Sequence, residues 1–482
     1  MTTPLQKVCE KILNQIAPDA KRKRQIRSLA EKLRKKVEAS AEKARIKAVV
    51  RVEGSVAKDT WLSREPDIDI FMQLPSSMSR EEFEKTALKI AIEATAGCKQ
   101  VERFAEHPYL EAFVDGVRVN IVPCYKVKRG QWRSATDRTP FHTDYVKTLL
   151  TPRLRDEVRL LKQFMKGVGV YGAEIKVGGF SGYLCELLIL NYQSFTNVLN
   201  AAAIWKDGQV VDYGGFYKKK ERELQLLFKD PLIIIDPVDK GRNAASAVRK
   251  ERLDEFVAAS RAFLQLPNTR FFNPPKTKPY QPREVAERMM NRDSSIVFVK
   301  FGRVNAVPDV LWGQLYRSQR ALRNLLWQND FRIIRDAVWS NENDINMFIF
   351  ELEQLQLPAV KKHLGPPLDR QRECENFLQK HLNSAETFSG PMLEDGRWVV
   401  ETRRKVLEAD ELLEQKLKID GGRQVGVAEE IAKAIKENFE ILTDDVILSL
   451  YRVNKAFAEF LTRYYEGRPS WLAKPLSRKS KR

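Results

Sequence analysis

Asp67 and Asp69 alternate with Ile68 and Ile70, and this spacing is the feature of the chain best suited to chemistry. A strand puts residues i and i+2 on one face, so the two carboxylates point the same way while the isoleucines enter a core. Neighbouring carboxylates repel each other unless a cation lies between them. Mg²⁺ is the expected cation, because it takes oxygen ligands and keeps positions open for phosphate oxygens. Upstream, the apolar run from Ile46 to Val52 leads into Gly54-Ser55 and a short helix-like stretch. Ser55 and the backbone N–H groups after Gly54 can receive a triphosphate where that helix starts. A lone Asp-x-Asp is common on solvent-facing strands. Gly-Ser at a fixed distance before it points instead to transfer of a nucleotidyl group.

The elements that must hold these residues belong to a large chain. Its 482 residues allow about three domains, each with its own core. Eighty-three Lys plus Arg against 64 Asp plus Glu give a formal charge of +19. A polyanionic partner accounts for such an excess, since cationic side chains gain affinity by releasing counterions from a phosphate backbone. Cys9, Cys98, Cys124, Cys185 and Cys374 are scattered, with no C-x-x-C pair. That pattern predicts no disulfide framework or zinc site, a reducing compartment and a cytoplasmic location. No apolar run approaches membrane-spanning length, and Lys7, Glu10 and Lys11 interrupt the N-terminus, so neither a transmembrane helix nor a signal peptide is expected.

In chain order, residues 4–16 and 20–44 read as helices divided at Pro18-Asp19, the second burying Ile26, Leu29, Leu33 and Val37 on one face. Ser79 caps a helical run to Ala96. Val101–Glu106, Tyr109–Val114 and Val117–Val122 read as strands, the last two joined by an Asp115-Gly116 hairpin. Residues 153–203 are predominantly helical, with Phe180–Ala203 as a buried helix. Leu232-Ile233-Ile234-Ile235 reads as a buried strand ending at Asp236-Pro237, which places Arg242 near a cleft. A boundary is expected between Pro267 and Pro282, where proline and charge concentrate. Beyond it, helices such as 312–327 alternate with strands such as Asn346–Leu352. Trp312, Tyr316, Trp327 and Phe331 lie among Arg317, Arg320, Arg323 and Arg332. The aromatics are expected in the core, and the arginines are better candidates for an RNA backbone. Pro475–Arg482 reads as a basic, disordered tail.

Gly54-Ser55 with Thr60-Trp61-Leu62, Asp67-Ile68-Asp69, Ala105-Glu106-His107-Pro108-Tyr109, Val122-Pro123-Cys124-Tyr125 and Asp137-Arg138-Thr139-Pro140-Phe141-His142 follow one another in order. Glu157–Lys162, Tyr171-Gly172-Ala173-Glu174, Gly179–Glu186 and Asp236-Pro237-Val238-Asp239 with Arg242-Asn243 continue the series. Across residues 54–243 the chain resembles the archaeal, class I CCA-adding enzymes. The resemblance weakens beyond residue 260, where Phe271-Phe272, Gly365-Pro366 and Asp395-Gly396-Arg397-Trp398 carry it. It implies a multi-domain α/β and α+β architecture. A nucleotidyltransferase palm would occupy residues 1–150 and a helical neck residues 151–262. A C-terminal body and tail, residues 263–482, would grip the acceptor and TΨC arms of tRNA, with a homodimer left open. The implied reaction transfers CMP and AMP from CTP and ATP to the tRNA 3′ end and releases pyrophosphate. Residue by residue, Asp67 and Asp69 would ligate Mg²⁺, Ser55 and Lys58 would hold the triphosphate, and His142, Lys162 and Tyr171 would complete the nucleotide pocket. Arg242 would help read the base. Read from their own surroundings, His142, Lys162 and Tyr171 fit ordinary structural positions as well.

Two positions depart from the family. Lys58 stands where the family has arginine, which keeps the charge and loses the bidentate fork on phosphate. Asn120 stands at the third carboxylate, the remaining catalytic and metal-ligating position. Its amide oxygen is a neutral, weaker ligand that cannot accept the hydroxyl proton. Arg118, two residues earlier on the same strand face, adds positive charge where a cation needs negative. An introduced substitution, compensation by Glu106, Glu111 or water, and a tRNA-end binding protein impaired in catalysis are the three readings of Asn120. Another palm enzyme, such as a poly(A) polymerase, is the competing enzymatic reading.

Overall fold

The computed structural model describes residues 3–104, 106–217 and 220–472. The chain divides into two units, with bounds at Lys276/Thr277 and Gly467/Arg468.

The first unit opens with α1 (Pro4–Ile16) and α2 (Ala20–Lys43), and Asp19 caps α2 by accepting from the Arg22 N–H. A mixed sheet follows, formed by β1 (Val49–Glu53), β2 (Asp67–Pro75), β3 (Lys99–Phe104), β4 (Pro108–Val114) and β5 (Val117–Lys126), in the order β1-β2-β5-β4-β3. β2 and β5 run parallel; the other neighbours are antiparallel. Asp115 and Gly116 both take positive φ, 51° and 74°, as a two-residue hairpin turn between β4 and β5 requires. α3 (Gly54–Lys58) connects β1 to the loop before β2, and α4 (Arg80–Ala94) crosses from β2 to β3. Ile26, Leu33 and Val37 of α2 pack with Ile68 and Ile70 of β2 and with Phe83 and Ile90 of α4. This core occupies one face of the sheet, so the alternation in β2 turns Asp67 and Asp69 to the other.

α5 (Thr139–Leu149) packs against β1 and α3. α6 (Pro152–Val168), α7 (Gly182–Tyr192), α8 (Phe195–Ala202) and α10 (Lys250–Gln265) then enclose an aromatic core of Phe164, Phe180, Phe195, Phe256, Phe263, Phe271 and Phe272. Each such buried ring contributes on the order of 2–3 kcal/mol of apolar burial. β6 (Gln209–Val211) pairs in parallel with β7 (Leu232–Ile234), and α9 (Glu221–Leu227) lies between them in sequence. The single helix expected over Phe180–Ala203 is two helices. Gln193 turns left-handed at φ 65° and Ser194 caps the second by accepting from the Asn197 N–H, so local capping chemistry breaks a continuous apolar pattern.

The second unit contains an antiparallel sheet of β8 (Ser295–Phe301), β9 (Ile333–Ser340), β10 (Asn346–Leu352) and β14 (Phe439–Thr443), in the order β14-β8-β10-β9. α12 (Pro308–Gln328), α14 (Ala409–Lys418) and α15 (Glu429–Glu437) share one core with it. α11 (Pro282–Met290), α16 (Leu448–Val453) and α17 (Lys455–Glu466) share another. β11 (Val360–Pro367), β12 (Thr387–Glu394) and β13 (Arg397–Arg403) make a separate sheet against α13 (Gln371–His381). Trp312 and Phe331 are core residues as expected, whereas Trp327 is 73% exposed. The sequence stretch Pro475–Arg482, Ala105 and the pair Lys218-Lys219 lie outside the described residues. Among those described, no helix is long and apolar enough to cross a membrane.

Candidate active site

Asp67 and Asp69 sit at the start of β2, with Arg118 and Asn120 directly beside them on β5 and Glu53 opposite Asp69 on β1. Gly54 makes this arrangement possible. Its φ is +66°, and a Cβ there would stand 2.1 Å from Asp69 Oδ2, so a side chain would meet the carboxylate as well as backbone strain. Ser55 and Lys58 follow on the five-residue α3, which ends on Asp59 in the left-handed region. Asp59 is a structural hub: it accepts from Lys23 at 3.0 Å and Arg159 at 2.7 Å, with Arg27 and Arg155 within ion-pair distance.

The two carboxylates differ in surroundings. Arg118 clasps Asp67 with two hydrogen bonds, Nε to Oδ1 at 2.9 Å and Nη2 to Oδ2. The Arg118 guanidinium therefore turns toward the site, onto Asp67 itself. Asp69 accepts from the Asn120 amide at 2.9 Å. Burial pushes Asp69 up to about 6, with the Asn120 hydrogen bond opposing and the Asp67 charge adding to the rise. Glu53 is fully buried, with neither carboxylate oxygen hydrogen-bonded, although Arg51 Nε lies 2.7 Å from Oε1. Burial pushes it up to about 7. Glu111 pairs with Arg103 at 2.9 Å, and Glu106 accepts from the Ala135 N–H.

Lys58 and Lys162 meet at one buried acid. Lys58 Nζ lies 2.5 Å from Glu186 Oε2, and Lys162 Nζ lies 3.5 Å from Oε1. Thr60 donates to Glu186 at 2.8 Å and accepts from Lys162 at 3.0 Å. Burial lowers the Lys162 pKa, and Glu186 opposes the fall. Burial would raise Glu186, but the charges of Lys58 and Lys162 outweigh it and hold the carboxylate below its ordinary range. Two cations on one anion leave a net positive charge beside Asp67 and Asp69.

A cavity of ≈ 580 Å³ opens here, lined among others by Ser55, Asp67, Arg118, Lys162 and Tyr171. Lys162 is therefore a buried wall residue, not an exposed lysine. Gly182 closes the wall: a Cβ there would lie 3.1 Å from the Tyr171 hydroxyl and 3.5 Å from Lys162 Nζ. Lys58, His142 and Arg242 do not line this cavity. His142 and Arg242 converge on Asp236 instead, at 2.9 and 2.8 Å from Oδ2. Tyr183 donates to Oδ1 at 2.9 Å and stacks on the His142 ring at 4.1 Å, while Lys58 Nζ lies 5.9 Å from the Tyr183 ring centroid. Burial would raise Asp236, but His142, the Val238 N–H and Arg242 hold it well below the carboxylate range. Burial lowers the His142 pKa, and the Asp236 carboxylate opposes the fall.

Sequence reasoning passed over Glu53, Glu186 and Asp236 as site residues. Each carried a signal: an acid closing an apolar strand before Gly-Ser, the single acid in an apolar helix, and an acid directly after four apolar strand residues. An acid at a position that must be buried needs a partner or a function.

Nucleotidyltransferases of this fold are generally metal-dependent. The donor set here fits one hard cation: Asp67 and Asp69 supply carboxylate oxygens on one face, and the raised Asp69 pKa marks a carboxylate that a cation would relieve. It does not offer a third carboxylate at position 120. Among the described residues there is no cluster of three or more acidic, histidine or cysteine side chains placed to hold a metal.

Three family models match the chain in succession: a nucleotidyltransferase domain over residues 26–142, a tRNA nucleotidyltransferase second domain over 156–273, and a CCA-adding enzyme C-terminal domain over 292–444. The CCA-adding enzyme of Methanosarcina acetivorans is 38% identical over 442 residues, 91% of this chain and 94% of that protein. That of Methanothermobacter thermautotrophicus is 35% identical over 94% of this chain and 96% of its own length. That of Pyrobaculum islandicum is 36% identical over 85% and 93%. The likeness thus runs through the site and well beyond it, into the second unit, and the chain belongs to the family of CCA-adding enzymes.

Proposed function

We propose that this chain adds CMP and then AMP from CTP and ATP to the 3′ end of tRNA, releasing pyrophosphate at each step. The observation that carries the mechanism is the cavity in which Asp67, Ser55, Lys162 and Tyr171 share one wall system. The Ser55 hydroxyl and its neighbouring amides donate to phosphate oxygens. The charge left over from the Lys58–Glu186–Lys162 cluster attracts the triphosphate, and the buried geometry keeps both ammonium groups from following it into solvent. Tyr171 offers a ring against which a ribose or base packs. Arg242, fixed through Asp236 together with His142, keeps further N–H donors for a base edge. Asp67 and Asp69 would hold Mg²⁺, with Asn120 offering an amide oxygen once its side chain is turned. The bound cation would lower the pKa of the 3′-hydroxyl and offset charge at the α-phosphate.

For this role the chain is best divided into a palm over 1–150, a neck over 151–262 and a body and tail over 263–482. The body and tail would engage the acceptor and TΨC arms by shape and backbone. Arg317 and Arg320, exposed on α12 as Trp327 is, suit that contact. The test is incorporation of labelled CTP, then ATP, into a tRNA transcript lacking its CCA end, with Mg²⁺ and separately with Mn²⁺. Stepwise addition of two C residues and one A is expected. Absence of incorporation with either metal, in this chain and in Asn120→Asp, overturns the reading.

A further inference from the structure

Arg118 and Asp67 are register partners on β5 and β2, and both line the nucleotide cavity. The guanidinium engages both Asp67 oxygens, Nε on Oδ1 at 2.9 Å and Nη2 on Oδ2. A hard cation requires those same oxygens. The neighbouring Asn120 adds no carboxylate and turns its NH₂ to Asp69 at 2.9 Å. The metal position next to Asp67 is therefore filled by a cation of the chain itself.

This cation is placed to move. The Arg118 and Asp67 side chains are 47% and 34% exposed, whereas Lys58 and Lys162, fixed on Glu186, are 7% and 4% exposed. An ion pair open to water is held weakly against competing ions. A divalent ion on Asp67 would also repel a guanidinium at that distance, so the two cannot share the carboxylate. Arg118 then needs another anion. Glu111 Oε2 lies 4.0 Å from its Nη1, but that buried acid is already paired with Arg103 at 2.9 Å. The remaining direction is the cavity, where Ser55 and Lys162 share the lining and a triphosphate would present its oxygens. The planar fork that fits a carboxylate fits a phosphate equally well.

We propose that Arg118 is a latch on the metal site, holding Asp67 while the site is empty and passing to a phosphate oxygen of the triphosphate when a divalent ion takes Asp67. The exchange keeps every charge paired. It rests on the proposed nucleotidyl transfer and adds a coupling to it: the triphosphate gives the guanidinium a new partner, so cation and nucleotide each favour entry of the other. Without nucleotide, apparent cation affinity is reduced by the fraction of molecules in which the fork is open.

The test titrates Mn²⁺ into the full chain without nucleotide, following free Mn²⁺ by its EPR signal, for the parent, Arg118→Gln and Arg118→Lys. Arg118→Gln should bind Mn²⁺ about tenfold more tightly. Lysine keeps the charge and lacks the fork, so Arg118→Lys should also tighten binding severalfold. Adding Asp67→Asn to Arg118→Gln should abolish the gain. CTP affinity at saturating Mg²⁺ and without tRNA should move the opposite way, falling severalfold in Arg118→Gln. Thermal melts check that each variant is folded. Equal Mn²⁺ affinity in the parent and both variants overturns the latch, as does a gain confined to Arg118→Gln, which a long-range charge effect would give. Unchanged CTP affinity overturns the transfer to phosphate. CMP incorporation by the parent is measured alongside. Incorporation with equal Mn²⁺ affinities strikes the latch alone, whereas absent incorporation strikes the proposed activity and leaves the Mn²⁺ comparison to decide the latch.

Discussion

At the scale of single residues, the site is governed by which charges are already paired. Asn120 donates its amide to Asp69 and Arg118 clasps Asp67, so both carboxylates are partly satisfied without a cation. Asn120→Asp removes the donor and adds an anion, and kcat/KM with Mg²⁺ should rise at least about tenfold, or about 1.4 kcal/mol in barrier. Steady-state CTP incorporation checks this. Glu186 anchors two buried lysines. Glu186→Leu leaves both uncompensated and should destabilise the first unit by about 3–5 kcal/mol; Glu186→Gln keeps hydrogen-bonding capacity and should cost less, as urea unfolding would show. Glu53 gives a pH signature. Its carboxyl moves from 4.5 to about 7 on folding, so the folded state holds the extra proton and stability falls as pH rises through that window. Glu53→Gln should therefore stabilise more at pH 8 than at pH 5, by on the order of 3 kcal/mol, read from melts at both pH values.

At the scale of elements, β1, α3 and β2 act as one device. β1 ends at Glu53, Gly54 turns with positive φ, and five helical residues deliver Ser55 and Lys58 before the chain returns along β2. Gly54→Ala would push against Asp69 Oδ2. A displacement of about 1 Å in a reacting group costs on the order of 100-fold in rate, so this variant should lose kcat by about that factor while the melting curve stays cooperative. α7 has the complementary role: Ser181 caps it by accepting from the Leu184 N–H, and Glu186 on its second turn reaches the lysines of α3 and α6. The strands of the first sheet, β7, β10, and α2, α4 and α6 were readable from hydrophobic period and capping residues; most strands of the second unit were not. The division of Phe180–Ala203 into α7 and α8 was not, because apolar content continues across Gln193 and only the backbone turn interrupts it.

For the whole molecule, the net charge of +19 would serve the proposed RNA binding and the proposed Mg²⁺ site the turnover, so the two are separable. Chelation of divalent cations with EDTA should stop nucleotide incorporation and leave tRNA binding at low salt largely intact, as a filter-binding assay run beside the incorporation assay would show. The amino-acid sequence alone determined the alternation that turns Asp67 and Asp69 to one face, the glycine before Ser55, the excess of cations and an ordered series of motifs from residue 54 to 243. These are local or cumulative properties, and periodicity, composition and short motifs express them directly. The tertiary structure decided the pairing: that Arg118 closes on Asp67, that Glu186 joins Lys58 to Lys162 across more than a hundred residues, that His142 and Arg242 meet at Asp236, and that His381 is buried without a partner. Such contacts depend on which distant elements share a wall, and on the cost of leaving a buried charge or polar group unpaired, neither of which has a period along the chain.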